Sequence, residues 1–204
     1  MKAVSGTVMR GLDRRTIAEA KISGEQLMER AGMLAAEGIL KWLSETGLNA
    51  NSPKIVLLAG KGNNGGDAFV AARLFDVAGY ELSLHCTAPE SELSGDALAM
   101  FRRMPASIQD KISYSLVPDD LSDPYTVIAD GLLGTGFHGS LRSPYKEWCA
   151  LVNQSGHPVA ALDISSGLDA DSGEADPDAV IADITFTMAA PKRGMFSPLV
   201  ERCP

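Results

Sequence analysis

The sequence predicts an α/β fold, a mostly parallel central sheet covered by helices on both faces, and three observations carry that prediction. Short apolar runs recur at Ile55 to Ala59, Leu82 to Cys86, Tyr125 to Ala129, Val159 to Leu162 and Ile184 to Thr187. Helical patterns stand between them, around Phe69 to Val77, Asp96 to Met104 and Tyr145 to Val152. The runs are apolar at consecutive rather than alternate positions, as strands buried on both faces are. A chain of 204 residues with 45% hydrophobic content suits one core, so residues 1–204 are read as a single domain.

Ahead of the first run, "SGEQLMERAGMLAAEGILKWLSETG" reads as a long amphipathic helix. Ser23 and Gln26 have capping-box spacing, Leu27, Ala31, Leu34, Ala35 and Trp42 fall on one face, and Gly47 ends it. That face is expected to pack on the sheet. Ser113 to Pro124, polar and rich in proline and aspartate, reads as a surface loop. In sheets of this kind ligands sit beyond the carboxyl ends of the strands, where four unusual stretches occur. They are "GKGNNGGD" after the first run, "DGLLGTGFHGS" after the third, "DISSGLDAD" after the fourth and "MAAPKRGM" after the fifth.

Charge and cysteine usage narrow the function. A net charge of −8 without lysine or arginine clusters argues against nucleic acid and anionic membrane as partners. Cys86, Cys149 and Cys203 are odd in number and lack C-x-x-C spacing, so neither a disulfide framework nor a zinc site is expected, and a reducing, cytoplasmic setting is. The apolar runs fall far short of the roughly 20 residues that span a bilayer, and the amino terminus lacks a signal-peptide core, so the chain is read as soluble.

Gly60, Gly62 and Gly65 satisfy G-x-G-x-x-G, which favours close approach of a pyrophosphate to a helix start. The acidic ribose reader of a dinucleotide fold is missing, because the second strand ends "LHCT". Nor is this a P-loop, since Gly66 and Asp67 stand where Lys and Ser/Thr are required. Asn63 and Asn64 add amide groups that suit hydroxyls, carboxamides or a hard monovalent cation. Asp67 could alternatively serve as a plain N-cap.

Together "GKGNNGGDAFVAARLF", "DGLLGTGFHG", "DISSGLDADSG" and "ADITFTMAAPKRGM", with "LMERAG" at Leu27 to Gly32, resemble the motifs of the NAD(P)H-hydrate epimerase family, the YjeF N-terminal domain, over about residues 8 to 195. The resemblance implies a Rossmann-like three-layer α/β/α sandwich, usually a homodimer, that epimerises the R and S forms of hydrated NADH and NADPH. Carried over residue by residue, it implies that Asn63, Asn64, Gly65, Gly66 and Asp67 contact the dinucleotide with a second loop, Gly134, Thr135, Gly136, Phe137, His138, Gly139 and Ser140. It implies potassium at Asn64, Asp130 and Ser166, and substrate contact at Asp163.

The reaction inverts a hemiaminal carbon, which bears a hydroxyl next to the ring nitrogen. Loss and return of hydroxyl through an iminium, or ring opening, both need a group that moves a proton on and off oxygen, and Asp163 is the candidate. The blander reading of Asp163, and of Asp130, is a strand-end carboxylate capping a turn. Lys192 could meet a phosphate or anionic intermediate, or be a solvated loop lysine. Asp169, Asp171 and Asp183 are expected to serve turns or strand entry, and His138 to matter less than the backbone around it. His85 and His157 show no partner spacing.

Two departures from the family pattern stand out: Ser165 replaces a usual proline, and "FSPLVERCP" stops before a further strand. The chain is therefore expected to be truncated, or the front part of a bifunctional protein with an ATP- or ADP-dependent dehydratase. The rival reading is a non-catalytic nucleotide-, RNA- or protein-binding module, since relatives of the domain occur in messenger-RNA decapping factors. An NAD-dependent dehydrogenase rests on the glycine pattern alone.

Overall fold

In a computed structural model, which describes residues 3–197, the five apolar runs form one sheet. Strands β1 (Lys54–Ala59), β2 (Leu82–Cys86), β3 (Thr126–Gly131), β4 (Val159–Leu162) and β5 (Ile184–Phe186) lie in the order β2-β1-β3-β4-β5. Every neighbouring pair is parallel. β3 runs further than its apolar stretch: Asp130 and Gly131 are strand residues, with Asp130 opposite Leu58 and Ala161. The carboxylate therefore sits inside the sheet, not after it.

Six helices surround the sheet: α1 (Gly6–Ala20), α2 (Gly24–Thr46), α3 (Asn63–Val77), α4 (Gly95–Arg102), α5 (Ala106–Gln109) and α6 (Tyr145–Ser155). On one face, Ile39 and Leu43 of α2, Phe69 and Phe75 of α3 and Met100 of α4 bury against Ile55, Leu57 and Ala129. On the other, Trp148, Cys149 and Val152 of α6 bury against Val56, Leu58, Ile128 and Ala161. Strands buried on both faces are why their apolar runs are continuous.

The capping box of α2 forms in both directions, Gln26 N–H donating to Ser23 Oγ at 3.2 Å and Ser23 N–H to Gln26 Oε1 at 3.0 Å. Its buried stripe, however, is Met28, Gly32, Ala35, Ala36, Ile39 and Leu43. Of the face expected to be buried, Ala35 is buried and Trp42 packs against the core, but Leu34 is 68% exposed, and Leu27, Ala31 and Leu34 line a cleft. The cause is close helix packing. At Gly32 a Cβ would lie 2.6 Å from the Asp67 carbonyl and from Val70 Cβ, so α2 approaches α3 through small residues that a reading weighted by large apolar side chains passes over.

Helix α1 is not anticipated by the apolar pattern, for it buries only Gly6 and Met9. Ser5 Oγ caps it by accepting Val8 N–H at 3.1 Å, and Asp171 Oδ1 accepts Gly6 N–H at 2.6 Å. The 113–124 connector lies at the surface but is pinned from beneath. Leu116 and Leu121 are buried, the His85 ring bridges Ser83 Oγ at 2.9 Å and the Ser115 carbonyl at 2.7 Å, and His157 Nε2 reaches the Leu121 carbonyl at 2.8 Å. Both histidines thus have partners, Ser83 two residues away on the same strand and the Ser115 and Leu121 carbonyls brought up by folding. Cys86 and Cys149 are buried free thiols, and burial pushes Cys86 up to about 12. Cys203 and the "FSPLVERCP" stretch from residue 198 onward lie outside the described residues. Among the described residues no helix is long and apolar enough to cross a membrane.

Candidate functional site

The strand order creates the site. From β1 the chain passes to β2 on one side and then returns to β3 on the other, so the connections leaving β1 and β3 diverge and leave a crevice at their carboxyl ends. The segments after β4 and β5 close its far side.

The glycine stretch after β1 is mostly helix. α3 begins at Asn63 with Gly62 as N-cap, so Asn63 to Asp67 form its opening turns and Asp67 is not a cap. Three glycines of the stretch are fixed by packing, whereas at Gly62 an added Cβ would meet nothing within 4 Å. A Cβ on Gly60 would lie 1.8 Å from the Leu132 carbonyl oxygen, and one on Gly65 would lie 1.8 Å from the carbonyl oxygen of Gly60. Gly66 fits under Met28, whose sulfur would be 2.4 Å from an added Cβ. Gly65 and Gly66 do not line the cleft, whereas Asn63, Asn64 and Asp67 do. The first amides of a helix have no partner within it, and here Asn63 and Asn64 of the first turn line the cleft.

Beneath the cleft, Asn64, Asp130 and Ser166 come together as the motifs predict. Asn64 Nδ2 donates to the Leu133 carbonyl at 2.9 Å, while its Oδ1 is buried without a hydrogen-bond partner among the described residues. Asp130, fully buried, accepts Leu132 N–H at 3.1 Å and the Ser166 hydroxyl at 2.6 Å on Oδ1, and Ser166 N–H at 2.8 Å on Oδ2. Burial raises the Asp130 carboxyl above its ordinary value, and the bonds from Ser166 and Leu132 oppose that rise. Ser166 Oγ also accepts Leu133 N–H at 2.9 Å, tying the three segments to one another. With Ser165 in place of a proline, the turn still closes, Leu168 N–H reaching the Ser165 carbonyl at 3.1 Å.

The cleft itself has a volume of about 1380 Å³. Its wall includes all of Gly134 to Ser140, where His138 Nδ1 lies 2.7 Å from Asp169 Oδ2, a contact that helps hold Asp169 below the usual carboxylate range. Asp169 also accepts Asp171 N–H and Ser172 N–H at 2.8 and 3.0 Å, and Asp183 accepts Val159 N–H at 2.7 Å, so these carboxylates serve turns and strand entry.

At the end of β4, Asp163 has φ 65°, a left-handed conformation uncommon for a residue with a side chain and concentrated at functional sites. Its Oδ1 accepts Met188 N–H at 2.9 Å and the Lys192 ammonium. Lys192 is 1% exposed, and its ammonium also donates to Thr187 Oγ1 at 2.9 Å and the Met188 carbonyl at 3.0 Å. It is a buried ion-pair partner, not a solvated lysine. Asp67, 7% exposed, also faces the cleft. Burial, and then the charge of Asp163, push its carboxyl well above the ordinary value, against the pull of Lys192. Asp13 of α1 joins the cluster from the rim, a residue the sequence reading missed. Met9, Asp13 and Ile17, four apart on α1 and all facing the cleft, were the signal for it.

The sequence model of the YjeF-related protein N-terminus family matches residues 24–194. The chain belongs to this family. Among YjeF-related relatives, it is 36% identical over 190 residues to the bifunctional NAD(P)H-hydrate repair enzyme Nnr of Coxiella burnetii, covering 93% of the chain and 37% of that enzyme. It is 36% identical to the NAD(P)H-hydrate epimerase of Rhodopirellula baltica, over 91% of the chain and 74% of the relative, and to that of Elusimicrobium minutum, over 95% and 88%. The chain thus spans about a third of the bifunctional relative and most of the two epimerases. In fold it is similar to a yeast protein of known crystal structure, with a TM-score of 0.78, 22% identity, and coverage of 100% of the chain and 85% of the yeast protein.

Proposed function

We propose that the chain interconverts the R and S forms of hydrated NADH and NADPH, as an NAD(P)H-hydrate epimerase. The observation that carries this reading is Asp163, on left-handed backbone at the wall of the cleft and held by a buried ammonium. Such a carboxylate is fixed in position, as proton transfer at a hemiaminal requires. The cleft exceeds the roughly 300–1,000 Å³ typical of drug-sized ligands and suits a dinucleotide. Asn63, Asn64, Asp67, the opening amides of α3 and the Gly134 to Ser140 loop are its binding surface in this reading.

Asn64, Asp130 and Ser166 are the site for potassium in the same reading. The orphaned Asn64 Oδ1 and the buried Asp130, which has no cationic side chain beside it among the described residues, are the oxygen donors a hard cation takes. Bound there, the ion supplies the positive charge that Asp130 lacks. Asp130 in turn fixes Ser166 and, through it, Leu133 at the base of the second loop.

In this reading the reaction takes the iminium route, with the Asp163 carboxylate at the cleft wall lowering the energy of a positive ring. The chain further acts in the cytoplasm as a homodimer, beside a dehydratase in the same or another polypeptide. Two relatives being named bifunctional repair enzymes supports that last point.

The test is equilibration of purified R-form hydrated NADH, followed by chiral separation of the epimers. Wild type should equilibrate them rapidly in potassium buffer, and Asp163→Asn should slow the reaction by about 10²–10⁴-fold. Wild-type equilibration no faster than the spontaneous rate would leave the binding-module reading standing instead.

A further inference from the structure

Asp67 and Asp163 face the same cleft with opposite support. Asp163 Oδ1 takes two donors, an ammonium and a backbone N–H. Asp67 has no hydrogen-bond donor and no cation within ion-pair distance among the described residues, although it is 7% exposed. Its backbone is fixed by close packing, for the Asp67 carbonyl lies 2.6 Å from where a Cβ on Gly32 would be. An unpartnered carboxyl pinned in a buried position and opening only into a ligand cleft is waiting for a partner that the ligand brings.

We propose that Asp67 is the acid of the epimerisation, delivering its proton to the departing hydroxyl while the Lys192-paired Asp163 faces the positive ring. This rests on the epimerase reading of the site. In the step, the carbon–oxygen bond breaks as the ring nitrogen's electron pair forms the carbon–nitrogen double bond. The hydroxyl takes the Asp67 proton and leaves as water. Water then adds to the opposite face of the same carbon, the electron pair returns to nitrogen, and the surplus proton goes to Asp163 and by solvent back to Asp67. Atoms and electrons balance with no oxidant or reductant.

The charged groups around Asp67 agree with the assignment. From α1, Asp13 stands at the solvated rim. From the segment after β4 comes Asp163, and from that after β5 comes Lys192, whose ammonium is already taken by Asp163, Thr187 and Met188. Lys61 and Asp96 lie at the outer edge, with His138 and Arg142 across the cleft. Three carboxylates sharing one lysine cannot all ionise cheaply, and the proton settles on the one with no donor of its own. Burial and the field of Asp163 act in that direction on Asp67. Anionic phosphates at the start of α3 would reinforce it.

The experiment is the pH dependence of kcat and KM for R-form hydrated NADH with wild type, Asp67→Asn and Asp163→Asn, the spontaneous rate subtracted. The wild-type profile should fall on the alkaline side as Asp67 loses its proton. Asp67→Asn should lower kcat by about 10²-fold or more, change KM by less than about threefold, and abolish that alkaline limb. Asp67→Glu, which still carries a proton, should recover part of kcat, and it replaces Asp67→Asn if the amide does not fold. An Asp67→Asn enzyme with a raised KM, unchanged kcat and an intact alkaline limb would overturn the assignment and leave Asp67 a binding group. A wild type without activity would instead remove the epimerase reading itself.

Discussion

Asp130 and Asp67 are both buried carboxylates without a salt-bridge partner among the described residues, yet their surroundings differ in every other respect. Asp130 lies within β3 and accepts three hydrogen bonds, two from Ser166 and one from Leu132. Asp67, on the first turns of α3, accepts none and borders the cleft. A carboxylate that holds three donors within a sheet organises its neighbours. An unsaturated one at a ligand surface is poised to exchange a proton. The fold therefore separates structural from chemical charge over a short stretch of chain: Asn64 opens toward the first and Asp67 toward the second.

Removing the lysine tests the chemical half hardest. Lys192→Met takes away the cation that pairs with Asp163 among the described residues and leaves a mostly buried carboxylate uncompensated. It should cost about 3–5 kcal/mol of stability in urea unfolding and abolish epimerisation. Equal stability of the two proteins would show that the pair is solvated and not part of a built site. Asp67→Asn should do the reverse to stability. Below the ordinary carboxylate value of 3.8, Asp67 is protonated whether folded or unfolded and costs nothing. As pH rises from there to its raised folded value, the unfolded chain gives up a proton that the folded chain keeps. Wild-type stability then falls relative to Asp67→Asn by about 1.4 kcal/mol per pH unit. Unfolding curves across that range check it, and a constant difference between the proteins would mean that Asp67 is not perturbed.

The sheet, its parallel sense and the loops that carry the site were legible because strands buried on both faces and glycines forced by backbone contact leave residue types that cannot be exchanged. Gly60 and Gly65 are of this kind, each facing a carbonyl oxygen at 1.8 Å from a would-be Cβ. So were Asn64, Asp130 and Ser166, which the structure brings together. What escaped the reading depends on tertiary contact. Lys192 reads equally as an anion-meeting or a solvated loop lysine, since nothing nearby in sequence says that the segment after β5 brings it to Asp163. The buried stripe of α2 shares Ala35 with the expected face but is otherwise shifted from it, because the helix meets α3 at Gly32. α1 was overlooked because its surface is polar, and only its spacing of Met9, Asp13 and Ile17 faces the cleft.

The structural half of the comparison is sharpened by the smallest effect, a response to potassium. If Asn64 Oδ1 and Asp130 complete an ion site, potassium binds the folded chain and not the unfolded one, so wild type should gain about 1.4 kcal/mol at a concentration ten times the dissociation constant. Choline at equal ionic strength should give none of that gain, which separates binding from screening. Asp130→Asn removes the charge while keeping the shape, and its new amide donors face Ser166 donors, so in potassium it should unfold about 1–3 kcal/mol more easily and lose the response. A potassium response that survives in Asp130→Asn would place the ion elsewhere. Asp130 would then be a carboxylate whose work is finished by Ser166 and Leu132, and the orphaned Asn64 oxygen would belong to the cleft and its ligand.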